Sequence, residues 1–80
     1  MIKKYTLTKY GITQFKMKIS TFLSAQMQND ELVMWIDDNT PYEELWTIYS
    51  VFTGDDAPVP AIYVGTVQDR SVVYHVYAQL

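Results

Sequence analysis

The fold class of this 80-residue chain depends on residues 46–53, which read Trp-Thr-Ile-Tyr-Ser-Val-Phe-Thr. Aromatic and β-branched residues dominate this stretch, and both types favour strands over helices. The preceding Thr40-Pro41-Tyr42-Glu43 has the opposite character, because it combines a Thr N-cap, a proline at the first helical position and a Glu three residues after the cap. We therefore predict one short helical turn near 41–44 and then a strand at 45–53. A 12-residue amphipathic helix over 41–52 is the rival interpretation.

Outside this stretch, the chain repeatedly shows the two-residue alternation of half-buried strands. The clearest case is 13–19, where apolar residues alternate with Gln14, Lys16 and Lys18. That pattern predicts a strand with a cationic outer face. The other candidate strands are 2–8, 23–28 (with Leu23, Ala25 and Met27 on its apolar face), 32–37, 61–68 and 72–78.

Turn signals separate these strands. Gln28-Asn29-Asp30 predicts a hairpin turn, since Asn and Asp tolerate left-handed backbone geometry, and Asp69-Arg70-Ser71 predicts the last turn. Residues 54–60 contain two prolines and predict a long loop. Gly65 predicts a bulge or a close approach of another backbone. About seven short strands at this spacing predict a single mainly β domain over 1–80, an antiparallel sandwich or small barrel.

Three of the predicted strands are apolar on both faces, namely the one around Trp35, the one from Trp46 to Phe52, and the last. A half-exposed sheet does not show this pattern. Either these strands are central in a closed structure, or another molecule covers one of their faces. A chain this short buries only about 60% of its unfolded surface. We therefore expect a homo-oligomer, with a dimer favoured, or a complex with a partner.

The composition excludes several classes of protein. Without cysteine there is no disulfide framework and no thiolate zinc site. The formal net charge of −3 argues against binding of long nucleic acid. No apolar run approaches the ~18 residues of a membrane span, and no apolar segment of a signal peptide follows Lys3 and Lys4. We expect a cytoplasmic protein that does not associate with membranes.

The charged residues are unevenly placed along the chain. All lysines lie within residues 3–18, whereas the acidic residues lie between Asp30 and Asp69. If the two ends of the chain stay apart, the surface has a basic and an acidic pole that could steer a charged partner. The alternative is that these residues form ordinary solvated strand faces.

No catalytic or metal-binding set can be assembled from the sequence. His75 is the only histidine, and its place in a run of alternating valines and tyrosines is typical of a sheet residue. The acidic pairs are adjacent residues, which point to opposite faces of a strand. The chain also lacks a nucleophile elbow and a glycine-rich phosphate loop. We predict that the protein is not an enzyme and uses no cofactor and no metal.

The aromatic side chains have the most binding potential, because Tyr and Trp anchor protein interfaces and also stack on nucleobases. Tyrosines beside a cation could hold a small nucleotide, and acidic residues could flank an aromatic patch. The candidate partner- or ligand-binding residues are Trp35, Trp46, Tyr49, Tyr63, Tyr74, Tyr77, His75, Arg70, Asp55 and Asp56.

Several short motifs occur in a characteristic order along the chain: Gln26-x-Gln28-Asn29, Leu32-x-x-Trp35, Thr53-Gly54, Tyr63-x-Gly-Thr-Val-Gln68 and Val73-x-His-Val-Tyr77. In this order, over nearly the whole chain, they resemble a family of short uncharacterised proteins encoded mainly by tailed bacteriophages and prophages. The resemblance implies a compact β-rich fold in which 45–53 is a strand. It also implies a phage origin and the bacterial host cytoplasm, but no established activity. Members commonly carry a His after the Thr-Gly pair, where this chain has Asp55.

Short acidic phage proteins often act stoichiometrically on host machinery. Our leading hypothesis is a non-enzymatic binding protein that inhibits bacterial anti-phage defence or modulates a host protein, through an aromatic patch flanked by acids. The alternative is an oligomeric sponge for a cyclic-nucleotide or ADP-ribose-type immune signal, with tyrosines on the bases and Lys or Arg on the phosphates. A virion or structural accessory role is a further alternative.

Overall fold

A computed structural model describes every residue from Met1 to Leu80 and contains β-strands but no helix. It therefore has no helix long and apolar enough to cross a membrane. All strand pairs are antiparallel, so the predicted seven-stranded, mainly β fold is confirmed. The strands are β1 (Ile2–Leu7), β2 (Gly11–Met17), β3 (Thr21–Gln28), β4 (Glu31–Asp37), β5 (Glu44–Phe52), β6 (Ile62–Asp69) and β7 (Val72–Gln79).

The strands form two sheets that pack face to face as a small sandwich. One sheet has three strands in the order β1-β4-β3, and the other has four in the order β2-β5-β7-β6. Alternate side chains of both sheets point inward, as the strand period requires. They enclose one core made of Leu7, Met17, Ala25, Leu32, Met34, Ile36, Trp46, Ile48, Val67, Tyr74, Val76 and Ala78.

The strands with two apolar faces are the central ones. β4 lies between β1 and β3, while β5 and β7 occupy the middle of the larger sheet. A central strand has neighbours on both sides, and these shield even its outward side chains. Val33, for example, points away from the core but lies between Thr6 and Gln26 and is only 2% exposed. Of the two explanations offered for the apolar pattern, the central position is the one that the structure shows.

On one side of the sandwich the edge strands β3 and β6 approach each other closely. A Cβ atom on Gly65 would lie 3.3 Å from the backbone nitrogen of Ala25, so a glycine permits this contact. Both strands also contain a bulge, between Phe22 and Ser24 in β3 and between Tyr63 and Gly65 in β6. The prediction of a bulge or close approach at Gly65 is confirmed on both counts.

The bulge in β3 changes which side chains face the core. Leu23 was expected on the apolar face with Ala25, but it is exposed. Phe22 instead packs against the core, where its ring meets Trp46 edge-on at 5.1 Å. The expectation for Leu23 was wrong because a bulge inserts one residue and reverses the alternation on one side of it.

The predicted helical turn near 41–44 is not present. Thr40 does accept a hydrogen bond from the backbone N–H of Tyr42 (3.3 Å), as a helix cap would. However, β5 begins at Glu44, which pairs with Met17 of β2. Because sheet pairing begins at Glu44, the chain is already extended where the helical turn was predicted. The hydrogen bond from Tyr42 to Thr40 closes only a local turn.

The turn predictions hold at both hairpins. Asn29 and Asp30 have φ values of 50° and 64°, and Arg70 has a φ of 58°. Two consecutive left-handed residues are typical of the two-residue hairpin turn whose twist matches the flanking strands.

The lysine-rich part of the chain and the acidic part do not stay apart in the fold, because β1 pairs with β4. Lys3 lies 2.9 Å from the carboxylate of Asp38, and Lys9 lies 3.6 Å from that of Asp69. Basic and acidic residues are therefore interleaved at these positions, which favours the interpretation as ordinary solvated strand faces.

Candidate functional site

The outer face of the four-stranded sheet carries a row of large side chains that crosses all of its strands. Ile12 of β2 lies opposite Tyr49 of β5, Tyr49 lies opposite Tyr77 of β7, and Tyr77 lies opposite Tyr63 of β6. We call these four residues the tyrosine row. They point outward because each alternates with inward-facing neighbours, so the strand period alone brings them to one line.

Contacts along the face hold the rings of the row in place. The rings of Tyr63 and Tyr77 meet at 62° with centroids 5.6 Å apart, which is a favourable edge-to-face geometry. The hydroxyl of Tyr49 donates to the side-chain oxygen of Gln79 (3.1 Å), and the amide of Gln79 donates to the carbonyl of Pro60 (2.7 Å). The row is thereby tied to the loop between β5 and β6.

His75 lies on the same face, two residues before Tyr77 in β7. Its Nε2 lies 2.8 Å from the hydroxyl of Thr53, and its Nδ1 lies 3.1 Å from the hydroxyl of Thr66. Thr66 in turn is hydrogen-bonded to the hydroxyl of Tyr63. Both ring nitrogens thus have partners, so the imidazole is held as a positioned part of the face and is joined to the tyrosine row through Thr66.

A shallow cleft of about 190 Å³ lies beside His75, between the sheet and residues 53–57, and Tyr77 and Asp55 also line it. The carboxylate of Asp55 accepts a hydrogen bond from the backbone N–H of Phe52 (2.9 Å), and its own N–H donates to the Phe52 carbonyl (3.1 Å). Asp55 therefore closes the turn after β5. Asp56, the next residue, is exposed on the loop.

The remaining predicted site residues lie elsewhere. Trp46 and Tyr74 are core side chains, 7% and 6% exposed. Trp35 points outward from the three-stranded sheet, on the opposite side of the molecule. Arg70 lies in the β6–β7 turn, where its guanidinium is 3.7 Å from the carboxylate of Asp30. The structure thus brings together Tyr49, Tyr63, His75 and Tyr77, with Asp55 at the margin.

Several residues of this face were missed by the sequence reasoning. Thr66 is one of them, although it pairs with the predicted residue His75 across the β6–β7 hairpin, and counting back from the predicted turn at 69–71 would have given that register. Ile12 and Gln79 carried no such signal, because their neighbours are set by pairing between strands far apart in sequence.

A second aromatic contact lies at the start of β2. Tyr10 stacks on Phe52 with ring centroids 4.0 Å apart, and Phe52 in turn contacts the core residue Tyr74. Both outer rings are partly exposed. The three rings in contact therefore connect the core to the surface at one end of the sandwich.

The strongest electrostatic perturbation lies away from this face, around Asp38. Hydrogen bonds from the Met1 amino group and then from Lys3 lower the pKa of the Asp38 carboxyl from 3.8 to about 2. In return, the hydrogen bond to Asp38 raises the pKa of the Met1 amino group above 8.0 and that of Lys3 above 10.5. This cluster joins the start of β1 to the end of β4. No group of three or more His, Asp or Glu residues is arranged to hold a metal ion.

Comparison with known proteins gives one family. The model of the family described as "Domain of unknown function (DUF7352)" matches residues 1–80. No curated protein and no solved structure matches the chain.

Proposed function

Because the chain belongs to the DUF7352 family, which has no assigned activity, we propose its function from the surface described above: it is a non-enzymatic binding protein that engages a partner protein through the tyrosine row. The observation that carries this proposal is the row itself, which sets three tyrosines and an isoleucine in one line across a sheet.

The exposure of the row supports protein binding. Tyr63 is 56% exposed and Ile12 is 58% exposed. Leu45 is also exposed, on β5, the strand that carries Tyr49 of the row. Tyrosine combines a large apolar ring with a polar tip and has few rotamers to lose, which suits it to interface cores. The rings here are already held by their contacts, so binding costs little additional side-chain entropy.

The placement of charge favours a protein partner over a nucleotide. A phosphate at the cleft beside His75 would meet the carboxylate of Asp55. None of the residues that line the cleft is a lysine or arginine, and Lys9 and Arg70 lie beside other carboxylates, those of Asp69 and Asp30. We therefore rank the sponge for a cyclic-nucleotide or ADP-ribose-type signal second and a virion accessory role third.

The biological setting rests on the motif resemblance. We propose that the protein is phage-encoded, acts in the bacterial host cytoplasm and binds a host protein stoichiometrically, as an inhibitor of anti-phage defence or a modulator of that host protein. The acidic loop residues Asp55 and Asp56 beside the row would favour a target with a basic rim.

The test is affinity capture from a bacterial host lysate with the wild-type chain and with Tyr63→Ala. We expect the wild type to retain one protein in stoichiometric amount and Tyr63→Ala to lose it, because truncating an interface tyrosine removes its ring from the contact. Tyr42→Ala is the matched control, since Tyr42 is also exposed (72%) but lies outside the row. Equal capture by all three chains would contradict a role for the row.

A thermal-shift series separates the second candidate. Cyclic dinucleotides and ADP-ribose derivatives are expected to leave the melting temperature of the wild type unchanged. A concentration-dependent rise that Tyr63→Ala abolishes would move the assignment from protein binding to nucleotide sequestration.

A further inference from the structure

The outer edge of β2 is the one sheet edge with neither a bulge nor a charge pointing inward. An exposed edge presents unpaired N–H and C=O groups, and proteins protect such edges with bulges, prolines, charges pointing inward or charged side chains, above all lysine, on the edge itself. β3 and β6 each contain a bulge and lie against each other. β1 carries Lys3 on the same face as the core residue Leu7, where it pairs with Asp38.

Of these features β2 has only an edge lysine, Lys16. Its pairing with β5 is continuous from Gly11 to Met17, it contains no proline, and its one charge, Lys16, is exposed on the outer face. The backbone of β2 takes part in none of the hydrogen bonds made outside the sheets. Alternate peptide groups along its free edge therefore lack partners within the chain.

We propose that this edge pairs with the same edge of a second copy, antiparallel and centred on Gln14, so that two four-stranded sheets join into one. Only this register pairs all seven residues of β2 with those of the second copy. Such a pairing adds roughly six to eight backbone hydrogen bonds. The pairing does not rest on the proposed binding function, although it uses Ile12 of the tyrosine row and would place two tyrosine rows on one continuous face.

The outer side chains of β2 are complementary to themselves in this register. Ile12, which is 58% exposed, lies opposite Lys16 of the second copy, whose aliphatic stem can cover it. The two Lys16 side chains are then roughly 14 Å apart, beyond the ~10 Å screening length at 0.1 M salt. The arrangement therefore brings no like charges together.

The central pair of this register brings two uncharged Gln14 side chains opposite each other. The amide nitrogen of Gln14 donates to the hydroxyl of Thr47 (2.9 Å). A glutamine amide has a second N–H and a carbonyl oxygen. Because the bond to Thr47 directs the amide towards β5, two Gln14 side chains opposite each other exchange hydrogen bonds across the two-fold axis only if they release Thr47.

Light scattering and sedimentation over a concentration series test the pairing with Ile12→Lys. We expect the wild type to have twice the 9.3 kDa chain mass. Ile12→Lys places two lysine pairs directly opposite each other and should weaken dimerisation roughly 2- to 30-fold. The double variant Ile12→Lys with Lys16→Glu turns both pairs into attractive ones and should restore the dimer.

Ile2→Lys is the matched control, because it makes the same change on an isoleucine that is 63% exposed on the other open edge, β1. It should dimerise like the wild type. A wild type that stays at the single-chain mass up to millimolar concentration overturns the proposal. So does unchanged dimerisation of Ile12→Lys, or loss of the dimer in Ile2→Lys alone, which would assign the interface to β1.

Hydrogen exchange of the wild type gives a second measurement that does not depend on any variant folding. Alternate amides of residues 11–17 should gain protection as the protein concentration rises. Concentration-dependent protection confined to another strand, or pairing of β2 with a strand of a different protein instead of its own copy, would refute self-pairing at this edge.

Discussion

At position 65 the space that a side chain would fill is occupied by the backbone of β3. The nearest atom to a Cβ at Gly65 would be the amide nitrogen of Ala25, at 3.3 Å, and the Cβ of Ala25 would follow at 3.5 Å. A backbone atom cannot rotate away as the end of a flexible side chain can. Gly65 therefore sets how closely the two sheets approach at this side of the sandwich.

Gly65→Ala should destabilise the fold by about 1–3 kcal/mol, because β3 or β6 must shift to admit the methyl group. Gly65→Val should cost more, since its branched side chain needs a larger shift. The measurement is the urea midpoint of each variant at unchanged m-value. An alanine variant as stable as the wild type would mean that β3 moves aside freely.

Asp38 is the residue at which the fold should respond most directly to pH. Its folded pKa of about 2 lies below the ordinary 3.8, so its ionised form stabilises the fold above pH 4. That stabilisation is lost as the pH falls from about 4 to 2. On the alkaline side, the raised pKa of the Met1 amino group makes its contribution present below pH 8 and lost above it.

We expect Asp38→Asn to reduce the dependence of the urea midpoint on pH between 4 and 2. Asp56→Asn, at an exposed loop carboxylate, is the control and should keep the wild-type profile in that window. Identical acid profiles for Asp38→Asn and the wild type would show that the cluster around Asp38 does not contribute.

Among the elements, β5 has the most influence on the core. It pairs with β2 on one side and β7 on the other, and it contributes Trp46 and Ile48 to the interior. Its third inward residue, Ser50, is buried, and its hydroxyl donates to the carbonyl of Lys9 (2.6 Å). Even the one buried polar group of this strand therefore has a partner, as a low-dielectric interior requires.

Ile48→Ala should cost about 2–5 kcal/mol in unfolding free energy, because Ile48 is 1% exposed and its removal leaves a cavity in the core. Ile2→Ala makes the same change at an exposed position and should stay within about 0.5 kcal/mol of the wild type. Equal losses in the two variants, measured by urea unfolding, would contradict the central place of β5.

At the scale of the whole molecule, most stabilising contacts join segments far apart in sequence. β1 pairs with β4, and β2 pairs with β5 across the entire β3–β4 hairpin. Forming such pairs requires closing long loops before any contact is gained. The topology is therefore that of a slowly folding β-protein.

Refolding should take place in milliseconds to seconds, as for other small all-β domains dominated by non-local pairs. Stopped-flow fluorescence can follow it, since Trp46 moves from water into the core. Relaxation within microseconds would be inconsistent with this topology and would indicate that local hairpins carry most of the stability.

The strands and turns could be predicted because their signals are local. Alternation at 13–19 identified the core-facing side of β2, and Asn29-Asp30 identified the β3–β4 turn. The prediction of a helical turn near 41–44 was wrong because a contact distant in sequence, the pairing of Glu44 with Met17, outweighs the local capping signal. Among the residues of the candidate site, the tyrosines could be named from their residue type, whereas nothing in the sequence pointed to Ile12 and Gln79.

The amino-acid pattern alone was sufficient for the β class and for about seven strands, because side-chain alternation depends only on residues near one another in the chain. The two-sided apolar strands were recognised from the sequence, but their central position was one of two explanations until the structure showed it. The partition into two sheets, the burial of Trp46 and Tyr74, and the meeting of Tyr49, Tyr63, His75 and Tyr77 on one face required the folded structure. Those features depend on register between distant strands and on the bulges in β3 and β6, where one inserted residue reverses which face a side chain joins.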